Sequence, residues 1–234
     1  MIEEIDFETY LYVSKNKYKI FLFDKMNIKN LYKNKLELKN PNDFIDLKSL
    51  SEFLDDNIFK IEKLIGKFIK NIFLIIENDK NFHTDICIKK KNYENSINQK
   101  YLEYTLSEIK DLFKENYLER NIMHMLINNY LINGKNYSSF KSDLSIDHLC
   151  LEVNFISISN DLTFAFDKVL EKYQIKIIQY LDGYYLKKFF KDDDIELSEM
   201  AYKLRDGHNE NEVILVPKNI ENKGFFEKFF QLFS

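Results

Sequence analysis

The sequence predicts a mixed α/β fold, on three observations. Two apolar runs, Tyr10–Val13 and Tyr18–Phe23, flank the polar turn Ser14-Lys15-Asn16-Lys17 and read as a β-hairpin. A long stretch with apolar residues at helical spacing follows and leads into Ile72-Phe73-Leu74-Ile75-Ile76, a continuous run of the length of a buried strand. Helical and alternating patterns then keep succeeding one another to about Leu204.

Each element has a local reason. Lys35-Leu36-Glu37-Leu38-Lys39 alternates as a half-buried extension of the hairpin, and Pro41-Asn42-Asp43 reads as a loop. Asp46 is placed to cap a helix running to about Ile69, with Leu47, Leu50, Phe53, Leu54, Ile58, Ile61, Leu64, Ile65 and Phe68 on its inner face. A second unit begins near Thr84. Asp85–Lys89 alternates as a strand, and Asn98–Glu115 is helical, with Tyr101, Leu102, Thr105, Leu106, Ile109, Leu112 and Phe113 inward. Ile122–Ile127 and Leu149–Ile158 are strands separated by a polar loop through Ser138-Ser139. Asn160 opens a helix through Tyr173, with Leu162, Phe166, Val169 and Leu170 inward, and Ile175–Tyr180 is a strand. Lys191-Asp192-Asp193-Asp194 breaks the pattern before a short helix at Ser198–Leu204. A polar loop, Arg205–Glu212, then precedes Val213–Val216, which reads as an edge strand ended by Pro217. Lys218–Lys223 reads as a linker, and no internal repeat is present.

Composition narrows the function. The 234 residues suffice for one large domain or two small ones, and 34 basic against 38 acidic side chains leave a net charge of −4. Nucleic-acid binding would call for a basic excess, so no nucleic-acid partner is expected. Five glycines restrict any site that brings backbone close to phosphate, and GxxxxGK[ST], GxGxxG and GxSxG are all missing. Cys87 and Cys150 carry no metal-ligand spacing, and each lies in an alternating apolar stretch that predicts a buried thiol. His83, His124, His148 and His208 form no zinc motif, and His124, among Ile122, Met123, Met125 and Leu126, reads as a structural histidine. His148, Cys150 and Glu152 alternate on one strand face without a second ligand set. Asp192–Asp194 lacks the spaced ligands and the glycine of a calcium loop. No metal and no cofactor are expected, and no catalytic residues. Met1–Phe7 is acidic and unlike a signal peptide, and no run approaches the roughly 18 apolar residues of a membrane span. A cytoplasmic location is expected.

The densest signal is the last segment, Phe225-Phe226-Glu227-Lys228-Phe229-Phe230-Gln231-Leu232-Phe233-Ser234. At about 100° per residue, Phe225, Phe226, Phe229, Phe230, Leu232 and Phe233 fall on one arc of a helix, with Glu227, Lys228 and Gln231 opposite. Such a surface suits a membrane interface, a partner groove or the protein's own core. Lys223 and Lys228 would favour anionic lipid.

The middle of the chain resembles a known family. Ile122-Met123-His124-Met125-Leu126-Ile127-Asn128-Asn129-Tyr130-Leu131-Ile132-Asn133-Gly134 is similar to a signature of the bacterial cell-division protein FtsA: an apolar pair, His, an apolar pair, three variable positions, Tyr, then an apolar residue before Asp-Gly. Leu144-Ser145 is similar to the centre of the family's Pro-x-Gly-apolar-x-Gly loop, and Leu149–Ile158 to the strand after it. Asn160-Asp161-Leu162, Lys168–Lys172 and Ile175-Lys176-Ile177 are similar to its next helix and strand. The resemblance spans roughly residues 5–185.

This resemblance implies a partial actin-like (ribonuclease H-like) lobe with an inserted strand–helix–strand–strand (SHS2) subdomain. Residues 1–83 and 159–204 would form the lobe, 84–158 the insert, 205–222 a linker and 223–234 an amphipathic membrane-targeting helix. The departures bear on activity. The family's first phosphate loop, Asp-x-Gly-Thr-like, is here Val13-Ser14-Lys15-Asn16-Lys17, and the proline and glycines of the later loop are Lys141, Asp143 and Ile146. The second phosphate loop, the adenosine segment and the second lobe are not seen in the sequence. The resemblance with these departures implies a scaffold peripheral to the inner face of the cell membrane, without ATP turnover. Its partners would be divisome proteins and itself. FtsZ would be among them but for the family's FtsZ-tail site, which lies in the lobe not seen here. The alternatives are a soluble interaction domain whose terminal helix packs on its own core, and an actin-like ATPase.

Overall fold

The structure is a computed structural model that describes residues 6–39, 44–91, 98–141, 145–191 and 193–214. These fall into two compact units, one made of the chain up to Asn81 together with Asn160–Asp206, the other of Phe82–Ser159 together with the residues from Gly207 on. The terminal segment bearing Lys223, Phe225, Phe226, Lys228, Phe229, Phe230, Leu232 and Phe233 lies outside the described residues, as do Leu215–Pro217, Pro41–Asp43 and Asp192.

The first unit is built on a five-stranded sheet. β1 (Phe7–Ser14) and β2 (Lys17–Asp24) form the expected hairpin, with Val13 opposite Tyr18. β3 (Lys29–Glu37) pairs antiparallel with β2 and begins well before the alternation at Leu36, because Tyr32 and Asn34 are held by a buried partner rather than by an apolar pattern. The Tyr32 hydroxyl donates to Asn57 Oδ1 at 2.7 Å, Asn34 Nδ2 donates to the same oxygen at 2.8 Å, and Asn57 Nδ2 donates to Phe53 O at 2.6 Å. β4 (Asn71–Glu77) and β9 (Lys176–Asp182) complete the order β3-β2-β1-β4-β9, with β4 parallel to both β1 and β9.

Both faces of this sheet are covered, which is why its strands read as continuous apolar runs. α1 (Leu47–Ile65) opens at Asp46, whose carboxylate accepts from Lys48 N and Ser49 N. It stops before Gly66, so the expected extension to Ile69 fails, and Leu64 and Phe68, expected inward, are exposed. Leu50, Phe53, Leu54, Ile58 and Ile61 form its buried stripe, and Phe53 meets Tyr18 at 6.1 Å between ring centres. α3 (Asn160–Glu171) packs beside α1 and against β9. The opposite face holds Tyr10, Tyr12, Phe21, Phe23, Phe73, Ile75 and Leu181 under α4 (Gly183–Phe189) and α5 (Leu197–Arg205). The sequence pattern misses α4, a seven-residue helix that follows β9 without a break.

The second unit has the strand–helix–strand–strand order with one added short strand. β5 (Phe82–Lys91), β8 (His148–Ser159), β6 (Arg120–Ile132) and β7 (Lys135–Tyr137) make an antiparallel sheet in that order. β7 follows the two-residue turn Asn133-Gly134, both at positive φ (49° and 82°), the backbone that an Asn-Gly hairpin supplies and that a side chain at 134 would strain. α2 (Gln99–Asn116), capped by Asn98, covers one face with Leu102, Leu106, Ile109 and Phe113. Phe113 stacks on Phe155 at 4.6 Å. Leu112, expected inward, is 37% exposed. Burial on β5 alternates strictly from Phe82 to Lys91, so the other face of the sheet lies open there.

Residues expected to be a loop and linker from Arg205 are in part ordered. Arg205 closes α5, and Asn211–Val213 lie along β6 beyond the end of β7. Ile127 N donates to Asn211 O and Val213 N to Met125 O, both at 2.8 Å. His124 secures this edge: its ring is 1% exposed, and Nδ1 lies 2.6 Å from Glu212 Oε1. His124→Ala is expected to leave the Glu212 carboxylate without its ring partner and to cost about 1–3 kcal/mol, read as a lowered urea midpoint. Glu212→Gln, which keeps a hydrogen-bonding side chain, is expected to cost less.

Candidate functional site

In open α/β sheets, ligands bind outside the carboxyl ends of the parallel strands. Here those ends are adjacent, since Ser14 pairs with Glu77 and Ile76 with Asp182. The residues gathered there are Ser14, Lys15, Glu77, Asp79, Asn81, Asp182, Tyr184 and Lys187, all of the first unit.

Most of their polar groups pair with one another, while Asn81 Oδ1 is buried without a hydrogen-bond partner among the described residues. Ser14 Oγ donates to Asn16 Oδ1 at 2.8 Å and accepts from Lys17 N at 3.1 Å, so the turn spends its hydroxyl and an amide on itself. Lys15 Nζ reaches Asp79 at 3.1 Å, and the Tyr184 hydroxyl donates to the same carboxylate at 2.7 Å. Asn81 Nδ2 donates to Asp182 Oδ2 at 2.6 Å, while Asp182 Oδ1 caps α4 by accepting from Tyr185 N at 2.7 Å. Lys187 pairs with Glu77 and lies 5.3 Å from the centre of the Tyr12 ring. At Gly183 the backbone passes so near Glu77 that an added Cβ would stand 2.6 Å from its Cγ, so the turn from β9 into α4 accepts glycine without displacing Glu77.

The electrostatics follow. The Tyr184 hydroxyl and the Lys15 ammonium hold the Asp79 carboxyl below its ordinary range. The same hydrogen bond, with some burial, pushes the Tyr184 phenol up to about 12. Burial raises Tyr12 further. A phosphate-binding loop needs unspent backbone N–H groups and close approach. This turn has a lysine that points to a carboxylate and an amide already used. Among the described residues no three His, Cys, Asp or Glu side chains gather as they would around a metal ion.

Other expected candidates fall elsewhere. His148 and Glu152 are exposed on β8 and form no such set with Cys150. Cys87 and Cys150 are not the buried thiols the alternation predicts, since Cys87 is exposed and Cys150 half-buried, because their strands present that parity to the open face. The network around Asp182 and Tyr184 escapes sequence reading because it joins residues about a hundred positions apart. An Asp before a Gly at the end of a strand was the available signal.

A five-stranded sheet ordered β3-β2-β1-β4-β9, covered by helices on both faces and carrying an inserted unit between β4 and α3, is a mixed α/β arrangement that agrees with the partial actin-like lobe expected from the sequence. No family model and no curated protein matches the sequence. Solved structures do. The cytoplasmic domain of EpsL, an inner membrane component of the type II secretion system of Vibrio cholerae, is similar at 7% identity and TM-score 0.39 over 76% of this chain. The PilM–PilN type IV pilus biogenesis complex is similar at 9% identity and TM-score 0.48 over 78%. A Bacteroides thetaiotaomicron protein with an actin-like ATPase fold and unknown function is similar at 11% identity and TM-score 0.32 over 82%. The chain spans 57%, 49% and 60% of those chains' own lengths. Likenesses at this level add nothing to what the strand order defines. No described helix is long and apolar enough to cross a membrane.

The Tyr184 network makes stability sensitive to alkali. A phenol raised in the folded state stays protonated while its unfolded counterpart ionises from its ordinary value of 10.0, so the unfolded state loses the proton first. Stability is therefore full below pH 10 and falls as pH rises towards 12, with Tyr18 and Tyr173, also pushed up to about 12, acting in the same direction. Urea midpoints measured across this range should decline, and Tyr184→Phe should decline less steeply than the unaltered chain. Equal slopes would remove Tyr184 from the account.

Proposed function

We propose that the chain is a membrane-associated cell-division scaffold of FtsA type that docks divisome proteins at the cytoplasmic membrane surface without turning over ATP. The observation that carries the reading is the state of the strand ends. Where an actin-like lobe would cradle a nucleotide's phosphates, Lys15, Asp79 and Tyr184 bind one another, and Ser14 closes its own turn. A lobe so arranged serves as a rigid support, and the open face of the second sheet offers a surface for partners.

The membrane part of the reading rests on the sequence of the last segment. Burying a phenylalanine fully is worth roughly 1.5–3 kcal/mol, and interfacial insertion recovers part of that. Phe225, Phe226, Phe229, Phe230 and Phe233 with Leu232 would together supply enough for reversible attachment, and Lys223 and Lys228 add attraction to anionic lipid. Self-association would raise the avidity of a single weak anchor.

Liposome sedimentation of the chain and of a variant lacking residues 223–234 tests the anchor. The full chain is expected to sediment with anionic vesicles and the truncated one to stay in the supernatant. Undiminished sedimentation of the truncated chain would sink the anchor. If neither chain sediments, the tail packs on the protein itself or on a partner, and the soluble interaction domain becomes the better reading. Titration calorimetry with ATP and magnesium is expected to give no binding heat, and micromolar binding would restore the ATPase reading.

A further inference from the structure

The open face of the second unit carries both of the chain's cysteines, and both are free. Cys87 lies on β5 and Cys150 on β8, 63 residues apart in sequence. In the antiparallel register Cys87 faces Glu152 and Lys89 faces Cys150, so the two thiols are diagonal neighbours on one face. Their sulfurs stand 2.7 Å apart. Cys87 is exposed between Asp85 and Lys89 on the edge strand, so it is not buried as a small hydrophobe would be.

We propose that Cys87 and Cys150 are a reversible dithiol–disulfide pair, a modification site for small-molecule disulfides of the glutathione class. Cys87 is the point of entry because it is exposed. Its thiolate attacks one sulfur of the oxidant, the oxidant's S–S bond breaks, and one small thiolate leaves and takes up a proton. Cys150 then gives its proton to solvent and attacks Cys87 Sγ, which breaks the mixed disulfide and releases the second small thiol. Two protein thiols are oxidised by two electrons, and one small-molecule disulfide is reduced to two thiols. The order of steps agrees with the environment of Cys150. Partial burial and the neighbouring Cys87 sulfur push its thiol up to about 11, so it is the poorer first nucleophile. The bond formed would tie edge strand β5 to β8 across the open face. In a reducing compartment such a bond forms only when the thiol pool is oxidised, so the site reports redox state.

The test uses the full chain in mixtures of oxidised and reduced glutathione, followed by thiol counting and intact-mass spectrometry. The expected result is loss of both thiols and of two hydrogens, with no glutathione retained. Cys150→Ser is expected to keep one glutathione on Cys87, and Cys87→Ser to react about tenfold more slowly than the unaltered chain. Circular dichroism checks that each variant is folded, and the unaltered chain's own mass needs no variant. Glutathione retained on both cysteines, a covalent dimer, or free thiols in excess oxidised glutathione would each overturn the proposal.

Discussion

The first unit depends on the parallel pairing of β1, β4 and β9. Parallel neighbours need crossover connections, and crossovers place helices on the faces of a sheet. Once α1 joins β3 to β4 and α3 leads into β9, one face is covered. α4 and α5 then bury Tyr10, Phe21, Phe73 and Leu181 on the other. The apolar runs through Phe21-Leu22-Phe23 and Ile72–Ile76 are the same constraint seen in the sequence, since a strand with two covered faces has no solvent side on which to place a polar residue.

The same pairing brings Ser14, Glu77 and Asp182 side by side at the strand ends. Three acidic groups, Glu77, Asp79 and Asp182, would repel one another there if left alone. Lys187, Lys15 with Tyr184, and Asn81 answer them one by one. The Lys15–Asp79 pair is largely solvent-exposed, so its worth lies in where it directs Lys15 rather than in energy. The buried Asp182 matters more, because it joins the end of β9 to the start of α4 and to the loop after β4.

Legibility followed locality. The hairpin turn at Ser14–Lys17, the caps Asp46 and Asn98, and the stripes of α1 and α2 could be read because the residues that define them are sequence neighbours. β3 could not, because Tyr32 and Asn34 are fixed by Asn57 on α1 and not by a pattern of their own. The end of α1 was misplaced because Leu64 and Phe68 continue the apolar period past Gly66, whose left-handed backbone ends the helix regardless. At the site, the glycine-poor turn could be read as unsuited to phosphate, whereas the partners that occupy the strand ends come from elements that only folding brings together. The cysteines show the limit most plainly. Alternation predicted their parity, but which parity faces α2 is decided by the pairing of β5 with β8.

The register of that pairing also has a consequence for how the second unit is accommodated. Phe82, where the chain enters it, lies opposite Ser157, just before the chain leaves it at Ser159. Entry and exit are therefore held together by the ladder itself. In the connection from β4 to α3, the long excursion acts as a loop whose ends have already met, so its length adds little to the entropy cost of forming the five-stranded sheet. The chain also returns to this unit at Gly207, after α5, so a segment inserted on such terms is joined to its host at Asn81–Phe82, Ser159–Asn160 and Asp206–Gly207.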